Sequence, residues 1–268
     1  MSLVAILLLI AGILYSTAFF NALIPFLTRR AFDEKVFYLI CFCAFFIQSI
    51  SLGLRMWQIE RLPISNTYEL FESIAWLIIA VDIFTMKVLK IRMVGFFGAG
   101  IAAFFTLLPL LCPAFNMSSE PSNVSLVANF HGAFAGFSYA LMSLSFIFSL
   151  MLILQVRSLR KKSFSRISGL LPSIASLEKW NMGAWRMASF AMLICFILGI
   201  FALTQKDFDT ATIIKLLAAL FIFSMQICVC VVSQKNILRG RGLAIFIISI
   251  FLISVLLLFP IEYRTFAK

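Results

Sequence analysis

Eight apolar stretches separated by short polar ones run the length of the chain, at about residues 3–27, 36–56, 68–88, 93–115, 126–155, 184–204, 211–233 and 243–261. Each can cross a hydrocarbon core of about 30 Å at about 1.5 Å per residue as a helix. In lipid an open sheet would leave backbone groups unpaired, whereas a helix closes its own. The pattern therefore predicts an all-α integral membrane protein, a bundle of about eight transmembrane helices. No internal repeat, low-complexity tract or soluble module interrupts it, so residues 1–268 read as a single polytopic membrane domain. The first stretch lacks a basic leader and is too long for a signal-peptide core, so it reads as a retained helix.

Composition supports this: 63% of the residues are hydrophobic and only 12% charged, against roughly half and a quarter in soluble domains. The net charge of +11 would suit nucleic acid in a soluble protein. Here the basic residues lie between spans, where they set orientation, and nucleic acid is not an expected partner. Alternate loops hold 16 of the 22 Lys and Arg residues: Arg29, Arg30 and Lys35; Lys87, Lys90 and Arg92; Arg157, Arg160, Lys161, Lys162, Arg166, Lys179 and Arg186; Lys235, Arg239 and Arg241. That bias places these loops in the cytoplasm and both termini outside. The loops 57–67, 116–125 and 205–210 then face out, and the inner loop 156–183 carries a basic run that can anchor the chain, meet anionic lipid or hold an acidic partner. We expect a multi-pass protein of a bacterial plasma (inner) membrane, in contact with membrane lipid. Asn116 and Asn123 match the glycosylation sequon, which matters only in a secretory pathway.

Little in the chain suggests enzymatic chemistry. The six cysteines contain no C-x-x-C pair, and residues two apart do not share a helix face, so they read as small apolar filler. No hydrolase triad, phosphate-binding glycine loop or multi-histidine site is present, and we expect no enzymatic activity. His131 is the single histidine. It opens the fifth span, with Ala135 and Ser138 below it on the same face and Gly132 and Gly136 making a small step on the adjacent one. A neutral imidazole there can ligate a metal or haem iron; it can equally be an interfacial residue that caps a helix or meets water.

The segment Leu62–Glu69 is the most unusual polar stretch. Pro63 breaks the chain, Ser65 or Asn66 can cap the third helix, and Glu69 and Glu72 suit the positive end of its dipole. Glu69, Ser73, Trp76 and Ala80 share a face. That face can line a pocket with an aromatic wall or pack on a neighbouring helix; Trp76 lies about 10 Å below Tyr68. Asp209 or Thr210 can cap the seventh helix. Asp82 either reaches the inner surface near Lys87 or pairs inside the bundle.

Taken in order, these motifs resemble the cytochrome c assembly family of haem-handling membrane proteins. Pro63-Ile64-Ser65-Asn66-Thr67-Tyr68-Glu69, with Ser73 and Trp76, is similar to its P-x-S-N-x-Y-E segment. His131 with Ser138-Tyr139-Ala140 is similar to its H-x(6)-S-Y-A span. Leu171-Pro172-Ser173 through Leu177-Glu178-Lys179-Trp180-Asn181 is similar to its L-P-x-L-E-x-L-E-x-x-N stretch, and Gly199 fits a glycine near the outer end of the next helix. The resemblance covers residues 60–260. It implies a haem cofactor presented on the outer side with His131 as axial ligand to the iron, and we take His131, Trp76, Glu69 and Asp209 as candidate cofactor-binding residues. The chain departs from the family at Lys206-Asp207-Phe208-Asp209, which lacks the tryptophans of W-x-W-D, and at Ile227-Cys228-Val229-Cys230, where a histidine is usual. Those departures fit the HemX-like branch, implying an accessory or regulatory role in cytochrome c biogenesis or haem metabolism and a partner from cytochrome c maturation or tetrapyrrole synthesis. The alternatives are a small-molecule or ion transporter using Glu69, Glu72 and Asp82, and a scaffold holding a partner on the basic inner loop.

Overall fold

A computed structural model describes residues 3–28, 33–64, 66–91, 93–111, 125–160, 171–203 and 210–258. They form eight helices: α1 (Leu3–Thr28), α2 (Glu34–Ile59), α3 (Thr67–Leu89), α4 (Met93–Leu111), α5 (Leu126–Arg160), α6 (Ile174–Leu203), α7 (Thr210–Gln234) and α8 (Gly240–Leu256). Among the described residues there is no strand. Six of the helices, all but α3 and α8, are long and apolar enough to cross a membrane. The other two depart from the expected pattern for different reasons. α3 carries Glu69, Glu72, Asp82 and Lys87, and α8 is 17 residues long.

Local chemistry sets several helix starts. Asp33 accepts from the amides of Lys35 and Val36 at 3.0 and 3.3 Å before α2, and Ser125 accepts from Ala128 N at 3.2 Å before α5. Ser173 accepts from Ser176 N at 3.2 Å, so α6 starts at Ile174 rather than near 184, where its apolar run begins. The reason is a continuous buried face, Leu177, Asn181, Ala184, Trp185, Ala188, Ala191, Met192 and Cys195, spaced as a helix requires. Glu178, Lys179 and Asn181 mask it in hydropathy, although Asn181 itself lies on it. α5 likewise runs past the expected residue 155 to Arg160, which shortens the presumed 156–183 loop from both sides. Of that loop's basic run, Lys161, Lys162 and Arg166 lie outside the described residues, as do Asn116 and Asn123.

The helices cluster into two compact units. In the first, α1 packs on α2 and α4, and α3 packs on α4 and α2. Phe37, Phe96, Ala18, Ala22 and Ala99 form part of its core, with Phe19 stacked on Phe96 at 5.2 Å. A polar hub joins all four helices. The Tyr15 hydroxyl donates to Gln48 Oε1 at 2.9 Å. Gln48 Nε2 reaches the Glu72 carbonyl at 3.1 Å, Glu72 Oε2 at 3.3 Å and Thr106 Oγ1 at 3.4 Å. All four side chains are buried. Each such bond adds about 0.6 kcal/mol between membrane helices, so the hub's larger effect is on register.

In the second unit, formed by α5 through Arg157 with α6, α7 and α8, small hydroxyls and amides pin the helices. Ser138 donates to the Ala188 carbonyl at 2.9 Å, Asn181 donates to Ser149 at 2.8 Å and accepts from Ser145, and the Trp185 indole donates to the Gln226 carbonyl at 3.0 Å. Tyr139 ties α5 to α8 through the Ser254 carbonyl at 3.3 Å.

Asp82 fits neither sequence expectation. It is buried in the first unit, and among the described residues neither carboxylate oxygen has a hydrogen-bond partner. It fits only because α4 offers Gly98 opposite: a Cβ there would fall on the Asp82 carboxylate. Gly98→Ala should therefore destabilise the first unit by about 1–3 kcal/mol through overpacking. Asp82→Ala should restore most of that loss in the double variant and alone should be neutral or stabilising, because it removes an unsatisfied buried group. Unfolding midpoints in mixed micelles test the set; additive effects of the two substitutions would refute the contact.

Candidate functional site

The chain between α2 and α3 is held by its own polar groups. Asn66 Oδ1 accepts from Glu69 N at 2.7 Å, which resolves the choice of cap in favour of Asn66. Ser73 donates to the Pro63 carbonyl at 2.7 Å, folding the proline turn back onto α3. Glu69 does more than meet a helix dipole. Arg55 Nε and Nη2 reach its Oε1 at 3.1 and 2.9 Å, and Arg61 Nη1 reaches Oε2 at 3.0 Å while also donating to the Leu62 carbonyl at 3.2 Å. One carboxylate thus gathers the last turns of α2, the turn and the first turn of α3. Sequence reasoning missed the two arginines, which are among the six Lys and Arg residues outside the alternate basic loops. The available signal was their position, on either side of a helix end and just before an acid in the next first turn.

Trp76 lies on α3 against α2, stacked on Phe45 with ring centroids 5.3 Å apart, and its indole donates to Ser49 at 2.8 Å. The face Glu69–Ser73–Trp76 is therefore engaged at its acid, its hydroxyl and its indole within the first unit. Glu72, one turn deeper, is buried, and its Oε1 makes no hydrogen bond among the described residues.

His131 belongs to the second unit, in the second turn of α5. Its Nδ1 lies 2.8 Å from the Cys195 carbonyl of α6. A carbonyl can only accept, so Nδ1 carries a proton, and in the neutral ring Nε2 keeps its lone pair. The Cys195 thiol lies 3.4 Å from the same nitrogen. Gly199, one turn on, makes room for the ring: a Cβ there would stand 2.9 Å from Cε1 and 3.0 Å from Nδ1. Among the described residues Nε2 has no hydrogen bond. This is how proteins prepare a histidine ligand, with the distal nitrogen held by a backbone carbonyl and the near one left to the metal. Among the described residues no group of three or more His, Cys, Asp or Glu side chains gathers around a common point, so any metal here depends on His131 and on ligands outside such a cluster. Asp209 lies outside the described residues, so the four candidate residues divide: Glu69 and Trp76 in one unit, His131 in the other.

No family model matches the chain. Over 250 residues it is 23% identical to Protein HemX of Bacillus subtilis (strain 168), an alignment that takes in 90% of this chain and 88% of that protein. The likeness to HemX thus extends over both units rather than over one shared segment, and it ties a multi-pass helical chain to a bacterial relative.

Glu69→Gln should cost about 3–5 kcal/mol, the range for removing one partner of a buried ion pair. Arg55→Met should cost much less, because Arg61 still holds the acid and Arg55 is the more exposed partner, 16% against 3%. Denaturant midpoints in micelles check the order; equal losses would contradict the assignment of Arg61 as the inner partner.

Proposed function

We propose that the protein is a HemX-like accessory or regulatory membrane protein of haem metabolism or cytochrome c biogenesis, without enzymatic activity of its own, resident in a bacterial plasma membrane. The end-to-end likeness to HemX and the ordered cytochrome c assembly motifs support the class. The observation that carries the haem reading is the His131 geometry, a fixed tautomer with Nε2 unengaged beside a glycine. All eight helices span the bilayer in this reading, α3 with its acids covered by protein, and both termini and His131 lie on the outer side.

His131 would hold the haem. Bound haem would supply an iron that accepts the Nε2 lone pair. Cys195 and Gly199 orient the ring, and any further ligand would be a side chain other than histidine or one from a partner, because His131 is the single histidine. The Arg55–Glu69–Arg61 cluster and Trp76 act as the frame of the α2–α3 turn.

Protein purified from haem-replete cells should show a Soret band that His131→Ala removes and that imidazole restores in His131→Gly. Gly199→Ala should shift or weaken the band by displacing the ring. Haem retained with an unchanged spectrum in His131→Ala would exclude this ligand, and no haem in the wild type would leave only the accessory role. Single cysteines placed near the two termini should react with an impermeant maleimide added to intact spheroplasts, whereas cysteines beside Lys90 and Lys235 should react only after lysis.

A second reading, transport of an ion or small molecule, rests on Glu72 and Asp82, buried acids with oxygens that make no hydrogen bond among the described residues. Intramembrane ionisable groups are functional candidates by default. Vesicle uptake unchanged by Glu72→Gln and Asp82→Asn would remove it.

A further inference from the structure

The motif Leu177–Asn181 has no part in the His131 site, and two of its polar members, Glu178 and Asn181, line a cavity of about 270 Å³ in the second unit. Glu178 and Asn181 come from the start of α6, Ser233 from the end of α7, and Arg239 from the turn before α8, with Leu152 and Leu243 supplying apolar wall. His131 and Leu152 are separated by about 30 Å of rise along α5, so cavity and histidine occupy opposite ends of the unit.

The charges on this cavity are placed but not paired. Gly240, at φ +55°, opens α8 beside Glu178, and a Cβ there would lie 3.3 Å from Glu178 Oε1. Among the described residues, Glu178 makes no hydrogen bond or ion pair. Arg239 directs Nε to Asn236 Oδ1 at 2.7 Å, which fixes the guanidinium while its terminal nitrogens meet no described acceptor. Arg239 also precedes α8 without a side-chain cap, so the positive end of that helix adds to its field. Asn181 is held rigid by Ser145 and Ser149. A purely cationic ligand would meet Arg239, with Lys235 and Arg241 exposed nearby; a purely anionic one would meet Glu178. Opposite charges that line one cavity without pairing match a molecule that carries both. The volume falls just below the usual range of ligand pockets, which suits a small molecule.

We propose that this cavity binds a small zwitterion, its ammonium on Glu178 and its acid group on Arg239. Two sources share that chemistry, a free amino acid and a phosphoethanolamine lipid headgroup. The proposal is independent of haem and of His131.

The test uses full-length protein and two variants, Glu178→Gln and Arg239→Gln, both at incompletely buried positions and checked for unchanged helicity and monodispersity. In detergent without lipid, calorimetry with alanine, β-alanine, γ-aminobutyrate and O-phosphoethanolamine should detect at least one ligand. Its affinity should fall at least tenfold in each variant, and at least tenfold for the N-acetylated form on wild-type protein. In nanodiscs, a thermal midpoint that rises with phosphatidylethanolamine over phosphatidylglycerol, and does not rise in either variant, assigns the site to lipid. Amino-acid binding that is indifferent to the lipid assigns it to a free solute. Absence of binding by every amino acid, phosphoethanolamine and phosphatidylethanolamine overturns the proposal, as does binding that both variants retain at full strength.

Discussion

A polar side chain inside a bilayer has no water to fall back on, so its partners must come from the protein. The first unit is arranged around that requirement. Gln48 meets acceptors on α3 and α4 and receives the Tyr15 hydroxyl from α1, so sliding any of the four helices by one turn would strand several groups at once. Glu69 plays the same part at the α2–α3 turn with two guanidiniums. Asp82 and the Tyr68 hydroxyl depart from it, buried without a hydrogen bond among the described residues, and the accommodation of Asp82 depends on a missing Cβ across the helix contact.

The second unit applies the same rule with smaller groups. Serines, Asn181 and Trp185 bond to backbone carbonyls and to each other across α5, α6 and α7. His131 is part of that pattern through Nδ1 and departs from it at Nε2. A ring whose distal nitrogen is fixed by a helix carbonyl has lost its rotational and tautomeric freedom, which is what a ligand needs and what a merely interfacial histidine does not. At the other end of the unit, Glu178 and Arg239 depart from the pattern in a different way, as opposite charges that line one space and do not meet.

Several features were legible residue by residue. A cap for α3 at Ser65 or Asn66 follows from short polar side chains just before an apolar run, and the bond from Glu69 N selects Asn66. Helix α6 was harder to read, because three polar residues in five hide a buried face whose periodicity starts at Leu177. The roles of Arg55 and Arg61 could not be read from spacing, since a charge in a loop looks the same whether it faces water or a carboxylate. Trp76 could line a pocket or pack on a helix by spacing, and only the positions of Phe45 and Ser49 on the neighbouring helix show its ring engaged there.

What the sequence determined by itself is the helical, lipid-facing character of the chain, because length and apolarity alone decide whether a segment can close its backbone hydrogen bonds in hydrocarbon. It also singled out the histidine and the turn before α3 as unusual, while the Leu177–Asn181 stretch was marked only by a family resemblance. Only the tertiary structure decided what those residues do locally. The state of an imidazole is set by which carbonyl lies beside Nδ1, the state of an acid by which guanidinium or glycine lies across from it, and these neighbours are 14, 16 or 64 positions away along the chain.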